Sequence, residues 1–151
     1  MQDEEAIALA LAEAKACADR GEVPVGAVLL AADGTLLAKD GNRILERRDP
    51  TAHAEMLVLR AGAEALGNER LGGTSLFVSL EPCAMCAGAI SLARVGRLVF
   101  AAEDAKGGAV LHGPCFFEQP TCHHRPLIGR AGDPVTAGDM LKNFFRLRRQ
   151  G

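Results

Sequence analysis

Segments typical of helices and segments typical of strands alternate along this chain of 151 residues. Apolar residues recur at helical spacing after Asp3 and stop at Gly21, and the continuous apolar run at residues 25–31 then predicts a strand. An Asp-Gly pair at residues 33–34 predicts a hairpin into a second strand. Because strands that alternate with helices pack as a sheet with helices on both faces, the pattern predicts an α/β fold.

Predicted helices, strands and loops continue through the rest of the chain. Residues 41–48 predict a polar loop, and Asp49-Pro50 is typical of a capped helix start, so a helix is predicted from there to about Leu66. Residues 103–134 are rich in Gly and Pro, which predicts a loop with one helical turn near residues 115–118 and an edge strand near Leu127. The remaining predictions are strands at 74–80 and 97–102, a helix at 82–93, and a final helix from Thr136 whose buried face contains Met140, Leu141, Phe144, Phe145 and Leu147.

The composition predicts a single domain over residues 1–151. Hydrophobic residues make up 48% of the chain, and 17 Lys and Arg stand against 19 Asp and Glu. No apolar run approaches the roughly 18 residues of a membrane span, and the start of the chain is acidic, so we expect a cytoplasmic protein without a membrane partner. The five cysteines are an odd number, which favours metal binding in a reducing compartment over a disulfide framework.

The charges are unevenly distributed along the chain. The net charge of −2 argues against indiscriminate binding of polyanions. However, residues 120–151 carry six bases and two acids, whereas residues 1–22 carry six acids and two bases. The last ten residues predict either a basic patch or an ordinary solvated helix face, through Lys142, Arg146, Arg148 and Arg149.

Two predicted helix starts carry candidate metal ligands. Cys83 and Cys86 are three residues apart, so their sulfur atoms share one helix face near the positive end of the helix dipole, which favours thiolates. His53 lies at the earlier helix start, two residues before Glu55. Taken singly, the cysteines also fit a redox pair, a structural zinc site or inert buried thiols, the histidine fits a core position, and the glutamate fits a helix surface. Together, H-x-E followed by P-C-x-x-C is typical of zinc deaminases.

The residue types suit hydrolytic deamination. Three protein ligands leave the fourth tetrahedral position of zinc for water, whose pKa falls toward about 7. Glu55 projects differently from His53, and we expect it to take the water proton, protonate a ring nitrogen and deliver a proton to the departing ammonia. The attacked atom is then an amidine-like carbon of an aminated heterocycle.

Six motifs are spread over nearly the whole chain. They are E-V-P-V-G-A-V (22–28), G-N-R (41–43), D-P-T-A-H-A-E (49–55), L-E-P-C-A-M-C-A-G-A-I (80–90), D-A-K-G-G-A (104–109) and F-F-R-L-R-R (144–149). Together they resemble the bacterial tRNA adenosine deaminases, which convert the wobble adenosine of an anticodon to inosine. The zinc motifs alone are shared with cytidine, deoxycytidylate and guanine deaminases, whereas the last two motifs point to tRNA.

The resemblance implies roles for individual residues. It implies one zinc ion per chain on His53, Cys83 and Cys86, attack at C6 of a flipped adenine, and Glu55 as the proton shuttle. From the residue types alone, an asparagine after a glycine is more typical of a turn, an aspartate fits a loop cap and a phenylalanine fits the core. The residues that the resemblance places on the base or on RNA are Asn42, Ala54 through its N–H, Asp104, Lys106, Phe145 and Arg148.

The resemblance also implies the architecture and the partners. It implies a three-layer cytidine-deaminase-like fold with a central five-stranded mixed sheet flanked by helices, and a homodimer that binds a tRNA anticodon arm without an organic cofactor. Two positions depart from the family pattern. Glu103 stands where members often have a basic or neutral residue, and Val-Leu-His-Gly at 110–113 replaces a commoner small, Gly-Ser-like sequence.

Two other functions compete with tRNA editing. A small-molecule deaminase that acts on a guanine-type free base shares the zinc motifs, but it has no use for the basic, Phe-containing tail, because phosphate contacts are a property of RNA binding. A noncatalytic, zinc-stabilised RNA-binding module has no evident structural need for Glu55.

A Cys/His cluster and one further cysteine are expected to be structural. Cys115, Cys122, His123 and His124 match no familiar zinc spacing, and the neighbouring Phe116-Phe117 pair predicts packing under a loop. Cys17 lies on the apolar face of the first helix and is expected in the core.

Overall fold

Five strands form one mixed sheet within residues 1–150, the part of the chain that this computed structural model describes. They are β1 (Gly26–Leu30), β2 (Leu36–Gly41), β3 (Ser75–Leu80), β4 (Arg97–Ala102) and β5 (Leu127–Arg130). Their order is β2-β1-β3-β4-β5, with β1 antiparallel to β2 and β3, and with β3, β4 and β5 parallel. The strands predicted at 25–31, 74–80 and 97–102 are confirmed to within one residue.

Helices cover both faces of the sheet. They are α1 (Asp3–Asp19), α2 (Ile44–Arg47), α3 (Ala54–Leu66), α4 (Ala84–Leu92) and α5 (Pro134–Gln150), and a 3-10 turn occupies Phe116–Glu118. Leu29 of β1 is buried in one apolar cluster with Val58 of α3 and Ile90 of α4. Its neighbour Val28 is buried in a second cluster with Ile7 of α1, to which α5 also contributes. Successive strand residues therefore face opposite helix layers, which confirms the three-layer α/β prediction.

Two glycines let α1 lie directly on the edge of the sheet. Gly26 and Gly41 are cross-strand partners in β1 and β2. A Cβ atom at Gly26 would overlap the backbone of Ala10, and one at Gly41 would overlap the sulfur of Cys17. Cys17 is fully buried, as expected. Because Asn42 directly follows Gly41, this close approach fixes where the asparagine leaves the sheet.

The predicted start of α3 at Asp49-Pro50 is wrong, because the helix begins at Ala54 with His53 as its N-cap. Asp49 instead accepts hydrogen bonds from the N–H and the hydroxyl of Thr51, at 2.9 and 2.7 Å, and closes a local turn. The Ala54 N–H is bonded to the Asn42 side chain at 2.8 Å, so the helix is capped by a distant residue. The predicted polar loop at 41–48 likewise contains the short helix α2.

The buried face of α5 is narrower than predicted. Met140, Leu141 and Phe144 are partly buried, but Phe145 is 45% exposed and Leu147 is 62% exposed. The helix contacts the sheet mainly through its N-terminal half, where Ala137 is buried. Its C-terminal half therefore presents aromatic and basic side chains to solvent.

The Gly- and Pro-rich segment packs on α4 through the 3-10 turn. Phe117 and Cys122 are buried there, and the Cys122 sulfur lies 3.5 Å from the Ser91 hydroxyl. Over residues 1–150 the side chains of Cys115, Cys122, His123 and His124 do not form a metal-ligand cluster, which agrees with the expected packing role. Among the helices so described, none is long and apolar enough to cross a membrane.

Candidate active site

The N-termini of α3 and α4 bring the three predicted ligands together. His53 is the N-cap of α3, Cys83 is the N-cap of α4, and Cys86 lies in the first turn of α4. The Nδ1 atom of His53 lies 3.6 Å from the sulfur of Cys83 and 3.5 Å from that of Cys86. All three ligand atoms lie within 4.8 Å of one another. Residues that are about 30 positions apart in the chain thus share one site, because the N-termini of α3 and α4 lie next to each other.

The spacing of these atoms fits a tetrahedral zinc ion. Zinc–sulfur bonds of about 2.3 Å and zinc–nitrogen bonds of about 2.0–2.1 Å place a sulfur and a nitrogen about 3.6 Å apart in a tetrahedron. The two observed sulfur–nitrogen distances are 3.6 and 3.5 Å. Two thiols and one imidazole are also the donor set that selects zinc among divalent ions.

The thiol pair is prepared to bind a cation. A hydrogen bond from Cys86 lowers the pKa of Cys83 to about 4, and the bond to His53 adds to this effect although burial opposes it. The same hydrogen bond, together with burial, raises the pKa of Cys86, so Cys83 is the first of the two thiols to ionise. The thiolate is the form that coordinates zinc.

Glu55 is buried beside the ligand triad. Glu55 is only 3% exposed, and its Oε1 atom has no hydrogen-bond partner within the described part of the chain. Burial raises the pKa of this carboxyl group to about 6. A buried carboxyl group without a partner costs folding free energy, and such groups concentrate at functional sites. A pKa near neutrality suits a group that accepts a proton in one step and donates it in another.

A cavity of about 270 Å³, which we call the small cavity, adjoins this group. His53, Glu55, Cys83, Asn42 and Asp104 are among its lining residues. Its volume lies just below the roughly 300–1,000 Å³ of typical ligand pockets, so it suits one ring system rather than a large ligand. Two of the three metal ligands and two of the expected base-binding residues, Asn42 and Asp104, therefore line one cavity with Glu55.

Asn42 and Ala54 are bonded to each other in this structure. The side-chain oxygen of Asn42 accepts the Ala54 N–H, and its amide nitrogen donates to the Val23 carbonyl at 3.1 Å. Asn42 is 4% exposed, so the contact is buried. One amide hydrogen of Asn42 is left for a base, because the carboxamide carries two. The contact of both residues with a base remains a prediction.

Asp104 caps its own loop. Its Oδ1 atom accepts the N–H groups of Lys106 and Gly107 at 3.1 and 3.0 Å, which is the loop-cap role that its residue type allows. The Oδ2 atom is free of these two bonds and remains as an acceptor. Its contact with RNA, like that of Lys106, remains a prediction.

A second cavity of about 790 Å³, which we call the large groove, runs from this loop to α5. Lys106, Lys142, Phe145 and Arg149 are among its lining residues. Arg148 lines it too, but its guanidinium also donates to the Gly21 carbonyl and lies 4.7 Å from the centre of the Phe144 ring. The RNA-facing prediction for Phe145 is compatible with its exposure, whereas Arg148 also ties α5 to the end of α1.

Three residues to which the sequence assigned no role support the site from behind. The Arg20 guanidinium donates to the backbone carbonyl of Asn42 at 2.9 Å. Glu22 is buried and accepts the first N–H groups of α2, and Glu81 is buried and accepts N–H groups of the loop after β4. For the two glutamates, the sequence signal that could have found them is an acid in an otherwise apolar motif, since Glu22 stands in E-V-P-V-G and Glu81 in L-E-P-C.

Comparisons with known proteins agree with this arrangement. The family described as cytidine and deoxycytidylate deaminase zinc-binding region matches residues 1–102. The tRNA-specific adenosine deaminase of Agrobacterium fabrum is 52% identical over 141 residues, which cover 93% of this chain and 92% of that protein. A solved structure from a study of A-to-I editing by tRNA:A34 deaminases has a TM-score of 0.88 and 51% identity, covering 91% of this chain and 99% of that one.

A more distant structure shows the fold alone. The guanine deaminase from Nitrosomonas europaea has a TM-score of 0.81 at 22% identity, covering 95% of this chain and 84% of that one. The cytidine-deaminase-like fold and the zinc centre predicted from the sequence are both confirmed. With half of its residues shared over nearly the full length of both proteins, the chain belongs to the tRNA-specific adenosine deaminase family of zinc-dependent deaminases.

Proposed function

We propose that this protein hydrolyses adenosine to inosine at the wobble position of a tRNA anticodon. One observation carries the proposal: the small cavity beside the ligand triad shares a wall with the large groove, since Leu80, Asp104 and Gly107 line both. A site of this form holds one base next to the metal ligands while the flanking nucleotides lie along a charged surface. Enzymes that act on a base take it out of the stack in this way.

Glu55 moves the protons of the reaction. Zinc, when bound by His53, Cys83 and Cys86, supplies a Lewis acid that lowers the pKa of a water molecule. Glu55 accepts a proton as the water oxygen adds to C6 of adenine and passes it to N1; it then takes the proton of the new C6 hydroxyl and delivers it to the amine as the C6–N bond breaks. Adenosine and water thus become inosine and ammonia. The raised pKa of Glu55, about 6, lets one group serve in each transfer.

Asn42 and Ala54 orient the base. Asn42 lines the small cavity and is bonded to the Ala54 N–H, so its spare amide hydrogen is the donor for a purine edge. Arg20 and α1 hold Asn42 from behind. A rigid wall of this kind holds the reacting carbon close to the attacking water, which is how positioning lowers a barrier.

The large groove binds the RNA strand. Its lining contains four basic side chains (Lys106, Lys142, Arg148 and Arg149) and two acidic ones (Glu103 and Asp104). Basic groups contact phosphates, and the exposed ring of Phe145 offers a surface on which a base can stack. A free base needs none of these groups, which favours RNA over the guanine-type substrate.

The remaining expectations concern the assembly and its setting. We propose that residues 1–151 act as one deaminase domain and that two copies form a homodimer. Leu45, Leu92 and Leu127 are 63%, 77% and 74% exposed, and exposed leucines of this kind suit a contact between copies. The five free cysteines and a tRNA substrate suit the reducing cytoplasm, where we place the reaction.

A competition between substrates tests the proposal. Zinc-loaded protein is offered a tRNA pool and, in parallel, free guanine, and inosine and xanthine are measured. We expect inosine at the first anticodon position and no xanthine. Xanthine without inosine would establish the small-molecule alternative, and tRNA binding without either product would establish the noncatalytic one. A Glu55→Gln sample run alongside identifies any product of a contaminating enzyme.

A further inference from the structure

A buried glutamate holds the loop that separates the small cavity from the large groove. Glu81 follows β3, and its side chain is 0% exposed. Its two oxygens accept four backbone N–H groups, from Asp104 (3.0 Å), Val110 (3.1 Å), Leu111 (2.9 Å) and His112 (3.2 Å). Both ends of the 103–112 loop are therefore attached to one carboxylate that comes from a different part of the chain.

The loop is shaped around this carboxylate. A Cβ atom at Gly108 would overlap the carboxyl group of Glu81, so only glycine fits there. Four backbone N–H groups and the ring N–H of His112 all donate to the two oxygens of Glu81, which is the bonding pattern of a carboxylate, since a carboxylate only accepts. Hydrogen bonds to a carboxylate are of the strong, charge-assisted kind.

The imidazole of His112 lies between this carboxylate and a second one. Its Nδ1 atom lies 2.8 Å from Oε1 of Glu81, and since a carboxylate only accepts hydrogen bonds, Nδ1 is the donor. Its Nε2 atom lies 3.7 Å from Oε1 of Glu103. The other oxygen of Glu103 lies 3.4 Å from Arg130, whose guanidinium also donates to the carbonyls of Phe100 and Ala101 in β4.

Glu103 and His112 stand at the two ends of this loop, and in this fold their side chains meet beside Glu81. Arg130 then joins Glu103 to β4 and β5.

The loop held in this way carries substrate-facing groups. Asp104 and Gly107 line the small cavity, and Lys106 lines the large groove. His112 lines neither of them. We propose that His112 is a positioning residue, which acts through Glu81 to hold the 103–112 loop against the bound RNA.

This inference rests on the proposed function for its substrate, and it predicts different effects on KM and on kcat. Without the imidazole, the loop loses one charge-assisted bond, while the zinc ligands and Glu55 are untouched. A loss of uniform binding raises KM and leaves kcat unchanged. For His112→Ala we expect KM for a short anticodon stem-loop RNA to rise about tenfold, or about 1.4 kcal/mol, with kcat within about twofold of wild type.

The test compares matched variants of the zinc-loaded protein. His112→Asn keeps an N–H donor near the position of Nδ1 and should restore most of the KM, and His123→Ala removes an exposed imidazole from the same segment and should change nothing. Backbone hydrogen exchange of residues 104–112 is measured without RNA. It should be faster in His112→Ala, normal in His123→Ala, and close to normal in His112→Asn.

The outcomes separate this inference from the proposed function. A wild-type protein that does not deaminate the stem-loop contradicts the proposed function, and the exchange comparison then decides the loop alone. If the wild type is active and His112→Ala leaves KM and exchange unchanged, His112 does not position the loop. If His112→Ala loses zinc, or its kcat falls as far as its KM rises, the residue is a general structural support and the inference is wrong.

Discussion

Replacing Glu55 with glutamine should abolish turnover and, at the same time, stabilise the metal-free protein. In the zinc-loaded enzyme the variant keeps the shape of the side chain but cannot transfer protons, so kcat should fall by about 10²–10⁴-fold or more. In the metal-free protein the native carboxylate destabilises the folded state, because it is buried and its Oε1 atom has no partner among the residues described. Glutamine removes that charge.

The size of the stabilisation follows from the pKa. The folded protein raises the pKa of Glu55 from 4.5 to about 6. Below pH 4.5 the carboxyl group is protonated in both the folded and the unfolded state, so it has no effect on the free energy of unfolding. As the pH rises from 4.5 to 6, the unfolded state ionises while the folded state still holds its proton, so stability is lost across this interval and the loss is complete above pH 6. A shift of about 1.5 pKa units at 1.36 kcal/mol each amounts to about 2 kcal/mol at neutral pH.

Urea unfolding of metal-stripped samples at about pH 3.5 and pH 7.5 measures this difference. Glu55→Gln should match the wild type at the lower pH and exceed it by about 2 kcal/mol at the higher pH, or by about 4–8 °C in Tm. Glu64→Gln, on an exposed position of the same helix, is the control and should differ at neither pH. A glutamine variant that retains activity, or whose stability difference is the same at both pH values, would refute the reasoning.

Three further predictions concern the metal, the groove and the loop. The protein should contain one zinc ion per chain, and a Cys83→Ala, Cys86→Ala double variant should lose it, as measured by elemental analysis. Neutralising Lys142 and Arg149, which both line the large groove, should weaken RNA binding and reduce the slope of log affinity against log salt by a little under about one unit for each phosphate that the protein no longer neutralises. Asp104→Asn should lower the ratio of deamination rates on matched RNA and DNA hairpins, because it weakens the acceptor for a ribose 2′-hydroxyl and relieves repulsion from phosphates.

Each of these predictions has a matched control. Cys115→Ala removes a thiol outside the triad and should keep the zinc, so zinc release there would point to unfolding rather than to the removal of a ligand. Arg70→Gln removes an exposed charge that lines neither the small cavity nor the large groove, and an equal change of slope would show that the tail has no special role. An unchanged RNA-to-DNA ratio would leave Asp104 as the loop cap that its bonds to Lys106 and Gly107 already make it.

The metal side of the site was predictable because its geometry is local. The spacing of Cys83 and Cys86 fixes both sulfurs on the first turn of one helix, whatever the rest of the chain does. His53 and Glu55 are likewise placed by the start of another helix. Only the meeting of the two helix starts required the sheet, and the alternation of strands and helices predicted that sheet.

The elements that the sequence misassigned are those whose ends depend on distant contacts. Asp49-Pro50 has the local form of a helix start, but Asn42 supplies the N-cap hydrogen bond of α3 from outside, and the aspartate closes a turn instead. The tail shows the same limit. Its apolar spacing places Phe145 and Leu147 on a buried face, yet the helix leaves the sheet before it reaches them.

The substrate side of the site is built from long-range hydrogen bonds, and this explains why sequence patterns assign it poorly. Buried carboxylates hold both of its walls: Glu22 accepts the N–H groups of Leu45 and Glu46 next to Asn42, and Glu81 accepts those of the 103–112 loop next to Asp104. Charge patterns assign acids to the surface, since they are rarely buried without partners. Here the partners are backbone groups 23 to 31 residues away, a distance at which no periodicity operates. Side chains around such an anchor, such as those of Glu103 and His112, therefore bear on how the loop is held while the zinc motif stays the same.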